Sequence, residues 1–136
     1  MPKVNHIAVL IENLDDAVGT FTDVWGLEPT EIVAIEEHGI RTAVFNFDNL
    51  IVELMEPTGP DTSTAKQLAK KGPCIAHMSI ESNDIVARME FLKMKGLQFT
   101  TNGPLLGLHD SLIAFLHPKS THGILTEITQ PAEGKH

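Results

Sequence analysis

Hydrophobic residues recur along this chain in a pattern that is repeated once. Residues 6–11 (HIAVLI) are a short apolar run, which is typical of a buried strand. Between Asn13, a residue type that caps helices, and Gly26, apolar residues recur at helical spacing at Leu14, Ala17, Val18, Phe21, Val24 and Trp25. Strands are predicted at about 30–36, 40–47 and 51–56. The first half is therefore predicted to be one strand, one helix and three strands, a βαβββ module.

The second half repeats this order after a connecting segment. Residues 57–63 are predicted to be a linker, and 64–71 a short helix that ends before Gly72-Pro73. A strand at 75–81 and a helix capped by Ser82 or Asn83 follow, with the apolar stripe Ile85, Met89 and Leu92. The last strands are predicted near 97–101, 112–117 and 124–129.

These patterns predict an α+β protein with one domain made of two paired βαβββ modules. Four strands and one helix cannot cover both faces of their own sheet, so the modules should bury a common surface and form a curved sheet around a cleft. Module 1 is predicted over about 4–57, the linker helix over 58–73, module 2 over 74–131 and a polar tail over 132–136.

Composition and charge limit the partners and the cellular compartment that the sequence predicts. The net charge of −8 argues against nucleic acid as a partner, and no apolar stretch approaches the roughly 20 residues of a membrane helix. The sequence begins its first strand pattern directly after Met1, without a signal-peptide pattern. Its single cysteine, Cys74, excludes an internal disulfide and favours a reducing compartment, so a cytoplasmic location is predicted.

The repeat also carries histidine and glutamate to matching places. His6 and His77 stand 71 positions apart, and Glu53 and Glu127 stand 74 apart, each glutamate inside an apolar run. One histidine at a strand edge is more often an ordinary half-buried residue, but a buried carboxylate needs a partner. If the modules pack about a pseudo-twofold axis, two imidazoles and two carboxylates converge, which predicts a site for a divalent ion.

At this point the chain resembles the vicinal oxygen chelate (glyoxalase/bleomycin-resistance) superfamily, and within it the methylmalonyl-CoA epimerases. The resemblance covers about residues 4–130. Five stretches carry it: His6-Ile7-Ala8-Val9, Glu37-His38-Gly39-Ile40, Val52-Glu53-Leu54, Ser63-Thr64-Ala65-Lys66, and the long block from Phe115 to Glu127.

The resemblance implies an isomerase that inverts C2 of methylmalonyl-CoA, or of a close 2-substituted acyl-CoA, through a metal-stabilised enolate. It implies a homodimer and a metal held by His6, Glu53, His77 and Glu127, with cobalt as first choice and manganese, nickel or zinc as alternatives. Glu127 is the first candidate for the base on one face of the substrate. Glu53 is the candidate for the other face, with a role purely as a metal ligand as the alternative. Lys119 and the cluster Lys66, Lys70 and Lys71 are candidates for contacts to coenzyme A, with ordinary solvent-exposed surface as the alternative for each.

The chain departs from the family pattern at three places. Ala76 precedes His77 where a second histidine is common, and Phe21-Thr22 stands where a tyrosine is usual. Some epimerases carry an extra glutamate base at the position of Thr42. None of these changes removes a predicted metal ligand, but the identity of the second base is left open.

Two other functions stay in competition. A lactoylglutathione lyase (glyoxalase I) can use the same ligand quartet, although the block from His117 to Glu127 favours the epimerase. A non-catalytic binding protein of the same fold usually lacks a complete ligand set, so the four residues argue against it.

Overall fold

The computed structural model describes residues 1–133; residues 134–136, the end of the predicted polar tail 132–136, lie outside the described residues. The chain divides into two compact units. One unit consists of His6–Ala76, and the other of Met1–Asn5 together with the chain from His77 onward. Each unit contains most of one predicted βαβββ module, without the first residues of that module's first strand.

The first module has its elements in the predicted order: β1 (Lys3–Leu10), α1 (Leu14–Trp25), β2 (Glu31–Ile35), β3 (Ile40–Asn46) and β4 (Ile51–Pro57). Its strands are arranged as β2-β3-β4-β1. β3 is antiparallel to both β2 and β4, whereas β1 runs parallel to β4. The linker helix α2 (Ser63–Lys71) follows and ends before Gly72, as predicted.

The second module repeats this arrangement: β5 (Cys74–Glu81), α3 (Ile85–Met94), β6 (Leu105–Leu106), β7 (Leu112–Leu116) and β8 (Thr126–Gln130). Its strands lie in the order β5-β8-β7-β6, which is the order of the first module read from the other end. Again the first strand is parallel to the last one, and the others are antiparallel. The prediction of two βαβββ modules is therefore confirmed.

The same hydrogen bond begins the long helix of each module. In the first, Glu56 accepts a bond from the backbone N–H of Leu14 at 2.8 Å. In the second, Gln130 accepts one from the backbone N–H of Ile85, also at 2.8 Å. The first N–H groups of a helix have no partner within it, so these side chains satisfy one of them and tie each helix to its last strand.

Apolar side chains from the helix and the strands form the core of each unit. In the first, Leu14 packs with Ala43, Phe45 and Leu54. A second cluster in that unit contains Ala8, Leu10, Ile40, Met55 and Ala76. In the second, Ile85 and Met89 pack with Ala114 and Ile128, and the partly buried Leu92 lies against them, which confirms the predicted stripe of α3.

Two predictions about local structure were wrong. Residues 97–101 form no strand; only Phe99 bridges to Leu116, and the paired strand is β6 instead. Two backbone hydrogen bonds flank this bridge, from Thr100 to the carbonyl of Phe115 at 2.9 Å and from His117 to the carbonyl of Gln98 at 2.7 Å. The backbone N–H of Gln98 donates instead to the Ser120 hydroxyl at 2.9 Å, so the pairing does not extend into a strand.

The N-cap of α3 is Asp84, not Ser82 or Asn83. The Asp84 carboxylate accepts a hydrogen bond from the backbone N–H of Ala87 at 3.0 Å, while the Ser82 hydroxyl accepts one from Asp84 itself. The helix α1 ends at Trp25 before Gly26, as predicted, and Val24 and Trp25 at its end are 59% and 60% exposed. Within residues 1–133, no helix has the length and apolar character needed to cross a membrane.

Candidate active site

His6 and Glu53 lie together in the first unit. β1 and β4 pair in parallel with Ala8 opposite Glu53, so His6, two residues earlier, projects from the same face of the sheet as Glu53. The distance between His6 Nδ1 and Glu53 Oε2 is 3.4 Å. The side chains are 9% and 16% exposed. The Glu53 carboxylate, which interrupts an apolar run, therefore lies beside an imidazole, as a buried carboxylate requires.

His77 and Glu127 form the equivalent pair in the second unit. β5 and β8 pair in parallel with Ser79 opposite Glu127, and His77 stands two residues before Ser79. His77 Nε2 lies 3.8 Å from Glu127 Oε2, and the side chains are 8% and 5% exposed. The ring of Phe115 packs edge-on against the imidazole, with 5.2 Å between the ring centroids.

Burial sets the charge of the second imidazole. Desolvation lowers the pKa of His77 from its usual 6.5 to about 4. Because an imidazolium is poorly stabilised away from water, His77 is neutral at pH 7. A neutral imidazole keeps a nitrogen lone pair, which is the form that coordinates a metal ion.

The two pairs occupy equivalent positions in the two modules. In each, the histidine is on the first strand, the glutamate is on the parallel last strand, and a small residue, Ala8 or Ser79, faces that glutamate. Imidazole nitrogen and carboxylate oxygen suit cobalt, manganese, nickel and zinc. Each pair therefore offers a divalent ion one nitrogen and at least one oxygen.

Thr42 lies on β3, opposite Met55 of β4. Its side chain is fully buried, and its hydroxyl donates a hydrogen bond to the backbone carbonyl of Leu54 at 3.0 Å. An alcohol is a poor base at neutral pH, and this proton is already engaged. Thr42 therefore has no role as a proton acceptor here.

The lysines expected to contact coenzyme A are on the surface. Lys66, Lys70 and Lys71 lie on α2, and Lys119 lies in a single helical turn after β7; all four are exposed. Exposure leaves them available to an anionic ligand, and the contacts to coenzyme A stay a prediction.

One residue of the site was missed by the sequence analysis. The Ser79 hydroxyl donates a hydrogen bond to Glu127 Oε1 at 2.6 Å. A serine inside an apolar strand is common, so the residue type gave no warning. The repeat could have indicated it, since Ser79 stands two residues after His77 as Ala8 stands two after His6.

Comparison with known families agrees with this arrangement. The model of the glyoxalase/bleomycin resistance protein/dioxygenase superfamily matches residues 5–115, a stretch that includes parts of both modules. The chain belongs to this superfamily.

Relatives within the superfamily narrow the class. Mitochondrial methylmalonyl-CoA epimerase of Mus musculus is 33% identical over 129 residues, which cover 94% of this chain and 72% of that protein. A structure of methylmalonyl-CoA epimerase in complex with methylmalonyl-CoA and NH4+ is 30% identical, with a TM-score of 0.94 and coverage of 99% of this chain and 98% of that one. A variant of the Streptomyces coelicolor methylmalonyl-CoA epimerase in complex with 2-nitronate-propionyl-CoA is also 30% identical, with a TM-score of 0.93 and coverage of 98% and 97%. The chain is a member of the methylmalonyl-CoA epimerase family, and the predicted fold class is confirmed.

Proposed function

We propose that this protein is a metal-dependent isomerase that epimerises methylmalonyl-CoA, or a close 2-substituted acyl-CoA, at C2. The observation that carries the proposal is its likeness, over nearly its whole length, to epimerases of that name and to a structure that holds the substrate. One family model covers most of both modules, which supports treating them as one domain, with module boundaries as predicted.

The reaction removes a proton from a carbon that lies between a thioester and a carboxylate, and returns a proton to the opposite face. When bound, a divalent ion supplies a Lewis acid for the negative charge that develops as the proton leaves. The protein must therefore present two kinds of group: ligands for the ion, and a proton acceptor near each face of C2.

The ligands we propose are His6, Glu53, His77 and Glu127. Three of them, His6, His77 and Glu127, are buried, and their side chains supply imidazole nitrogen and carboxylate oxygen. Burial keeps His77 neutral and so able to coordinate, as described above. Glu53, beside His6, completes the set with the second carboxylate. Cobalt is our first choice of ion, and manganese, nickel or zinc also suit these donors.

The bases we propose are Glu127 for one face of the substrate and Glu53 for the other. Their equivalent positions on β8 and β4 support this, because a repeated module offers one carboxylate per half. Thr42, where the family resemblance would place an additional glutamate base, donates its hydroxyl proton to a carbonyl, so that role falls to another residue. A properly placed base accelerates proton transfer by about 10²–10⁴-fold.

The setting follows the family and the composition. We propose a homodimer, as the family resemblance implies, acting in the cytoplasm, which its single cysteine supports.

The test is a proton-exchange assay in deuterated water. Chelator-treated protein should not exchange the C2 proton of methylmalonyl-CoA, and added Co²⁺ should restore exchange and epimerisation, both followed by NMR. The hemithioacetal of methylglyoxal and glutathione serves as the competing substrate. Turnover of that compound without exchange of methylmalonyl-CoA would instead identify a glyoxalase I-type enzyme, and cobalt-independent exchange would refute the metal dependence.

A further inference from the structure

We propose that Ser79 is a positioning residue that holds the Glu127 carboxylate in the orientation used for metal binding. This inference rests on the proposed function, because it requires Glu127 to be a ligand. It concerns Glu127 alone, since the first module lacks the corresponding hydroxyl.

The contact between Ser79 and Glu127 is short and buried. Ser79 is fully buried, and its Oγ lies 2.6 Å from Glu127 Oε1. Distances of about 2.5–2.7 Å are typical of a hydroxyl that donates to an ionised carboxylate. Such a hydrogen bond is roughly twice as strong as one between neutral groups. The two residues face each other across paired parallel strands, so the strand register itself brings them together.

This bond distinguishes the two oxygens of Glu127. The Ser79 hydroxyl engages Oε1, and Oε2 is the oxygen that faces His77, with 3.8 Å between Oε2 and Nε2. Rotation of the carboxylate would break the bond to Ser79. The serine therefore selects Oε2 as the oxygen presented beside the imidazole, where a shared ion would be bound.

The first module provides an internal comparison. Ala8 faces Glu53 as Ser79 faces Glu127, and alanine has no donor to offer. The Glu53 side chain is also more exposed, at 16% against 5% for Glu127. Of the two glutamates, only Glu127 therefore receives a hydrogen bond from the side chain of the residue that faces it across the paired strands.

The expected size of the effect follows from other metal sites. Removing an outer hydrogen-bond partner of a metal ligand typically weakens metal affinity or activity by about 10–100-fold. Ser79→Ala, which gives the second module the residue of the first, should therefore weaken Co²⁺ binding by about 10–100-fold.

The experiment is a titration of chelator-treated protein with Co²⁺, followed by calorimetry and by the visible spectrum of bound cobalt. Wild type is compared with Ser79→Ala. Ser82→Ala is the matched control, because it removes the hydroxyl of a serine near the end of the same strand that bonds only to local backbone. Thermal unfolding of each metal-free variant verifies that it folds.

The outcomes separate this inference from the proposed function. Weaker binding and an altered cobalt spectrum in Ser79→Ala, with wild-type behaviour in Ser82→Ala, support the role of Ser79. Equal affinity and an unchanged spectrum in folded Ser79→Ala would overturn it and leave the metal site intact. Equal losses in both alanine variants would overturn it too, as a general effect of losing a serine. A wild type that does not bind Co²⁺ would overturn the metal site itself, and this inference with it.

Discussion

The Glu56 side chain at the end of β4 accepts a hydrogen bond from the first residue of α1, with 2.8 Å between Glu56 Oε2 and the backbone nitrogen of Leu14. Gln130 makes the same contact with Ile85 in the other module. Glu56 and Gln130 each stand three residues after the glutamate of the site, Glu53 or Glu127. In each module, this hydrogen bond therefore connects the long helix to the strand that carries the candidate ligand, close to that ligand.

This relationship predicts which substitutions at Glu56 are tolerated. Glu56→Ala should lower the free energy of unfolding by about 1–2 kcal/mol, because it leaves a helix N–H without its acceptor. Glu56→Gln should lower it much less, since Gln130 shows that an amide oxygen can serve; the remaining loss comes from the ion pair with Arg41 at 3.6 Å. Urea unfolding at pH 7 gives both values. Equal losses in the two variants would contradict a role for the acceptor oxygen.

The two carboxylates should act on opposite epimers of the substrate. Glu127→Gln and Glu53→Gln each keep a carbonyl oxygen but lose a base, so each should abolish epimerisation. Each variant should lose proton exchange with one epimer by about 10²–10⁴-fold and keep it with the other, and the two variants should fail on opposite epimers.

Exchange of separate (2R)- and (2S)-methylmalonyl-CoA in deuterated water measures this directly. Loss of exchange with both epimers in Glu53→Gln would mean that Glu53 is purely a ligand. Undiminished exchange with both epimers in Glu127→Gln would remove Glu127 from proton transfer.

Burial of His77 predicts a loss of stability in acid. The pKa of His77 is lowered to about 4 in the folded protein, against 6.5 when unfolded, so the unfolded state takes up a proton first as the pH falls. The contribution is fully present above pH 6.5 and is lost as the pH falls from there through about 4. For this depression of the pKa the loss is on the order of 3 kcal/mol at most.

Unfolding of metal-free protein by urea at several pH values between 7 and 4 tests this. His77→Gln should flatten the dependence on pH, whereas His38→Gln, a change in the turn before β3, should leave it as in wild type. The same slope in wild type and His77→Gln would show that other groups cause the acid sensitivity.

Gly39 is predicted to be intolerant of a side chain for two separable reasons. Its φ is +64°, a left-handed conformation that disfavours other residues, and an added Cβ would clash with the Thr62 side-chain methyl. Gly26 has φ of +67° but open space around it, so Gly26→Ala should cost about 1–2 kcal/mol for the backbone alone. Gly39→Ala should cost more than Gly26→Ala in the same unfolding assay.

A second substitution isolates the clash. Thr62→Ser removes the methyl group but keeps the hydroxyl that accepts a hydrogen bond from the backbone N–H of Ala65 at 3.1 Å. Gly39→Ala should therefore be less destabilising in a Thr62→Ser background than in wild type. Additive losses in the double variant would exclude the methyl contact as the cause.

The elements with strong periodicity could be predicted from the sequence. The helix between Asn13 and Gly26 was recognised by its two caps, and Asn13 accepts the expected hydrogen bond from the backbone N–H of Asp16 at 3.0 Å. Residues 97–101 were wrongly predicted to form a strand because their composition suits one. Their hydrogen-bond partners, such as Ser120 for the backbone N–H of Gln98, are distant in sequence. Local pattern alone does not encode the choice of partner.

The candidate site could be predicted in part for a similar reason. The repeat singled out His6, Glu53, His77 and Glu127 as residues of one predicted site. The parallel pairing of the first and last strands, which brings His6 beside Glu53 and His77 beside Glu127, was not predicted. The hydroxyl of Ser79 escaped notice, since its importance depends on the register that puts it opposite Glu127. A shift of one residue in that register would turn the side chain to the other face.

The boundaries of the two units fall within β1 and β5, so they do not coincide with the boundaries of the two modules. Met1–Asn5 belong to the unit that contains the second module, where Lys3 and Asn5 both reach Glu81, at 3.6 and 3.2 Å. Conversely, Ala76 lies in β5 of the second module but belongs to the core of the first unit, with Ala8 and Leu10. A cut at the linker would therefore separate Met1–Asn5 from the unit to which they belong and Ala76 from the core that it helps to form, so neither half of the sequence would contain a complete unit.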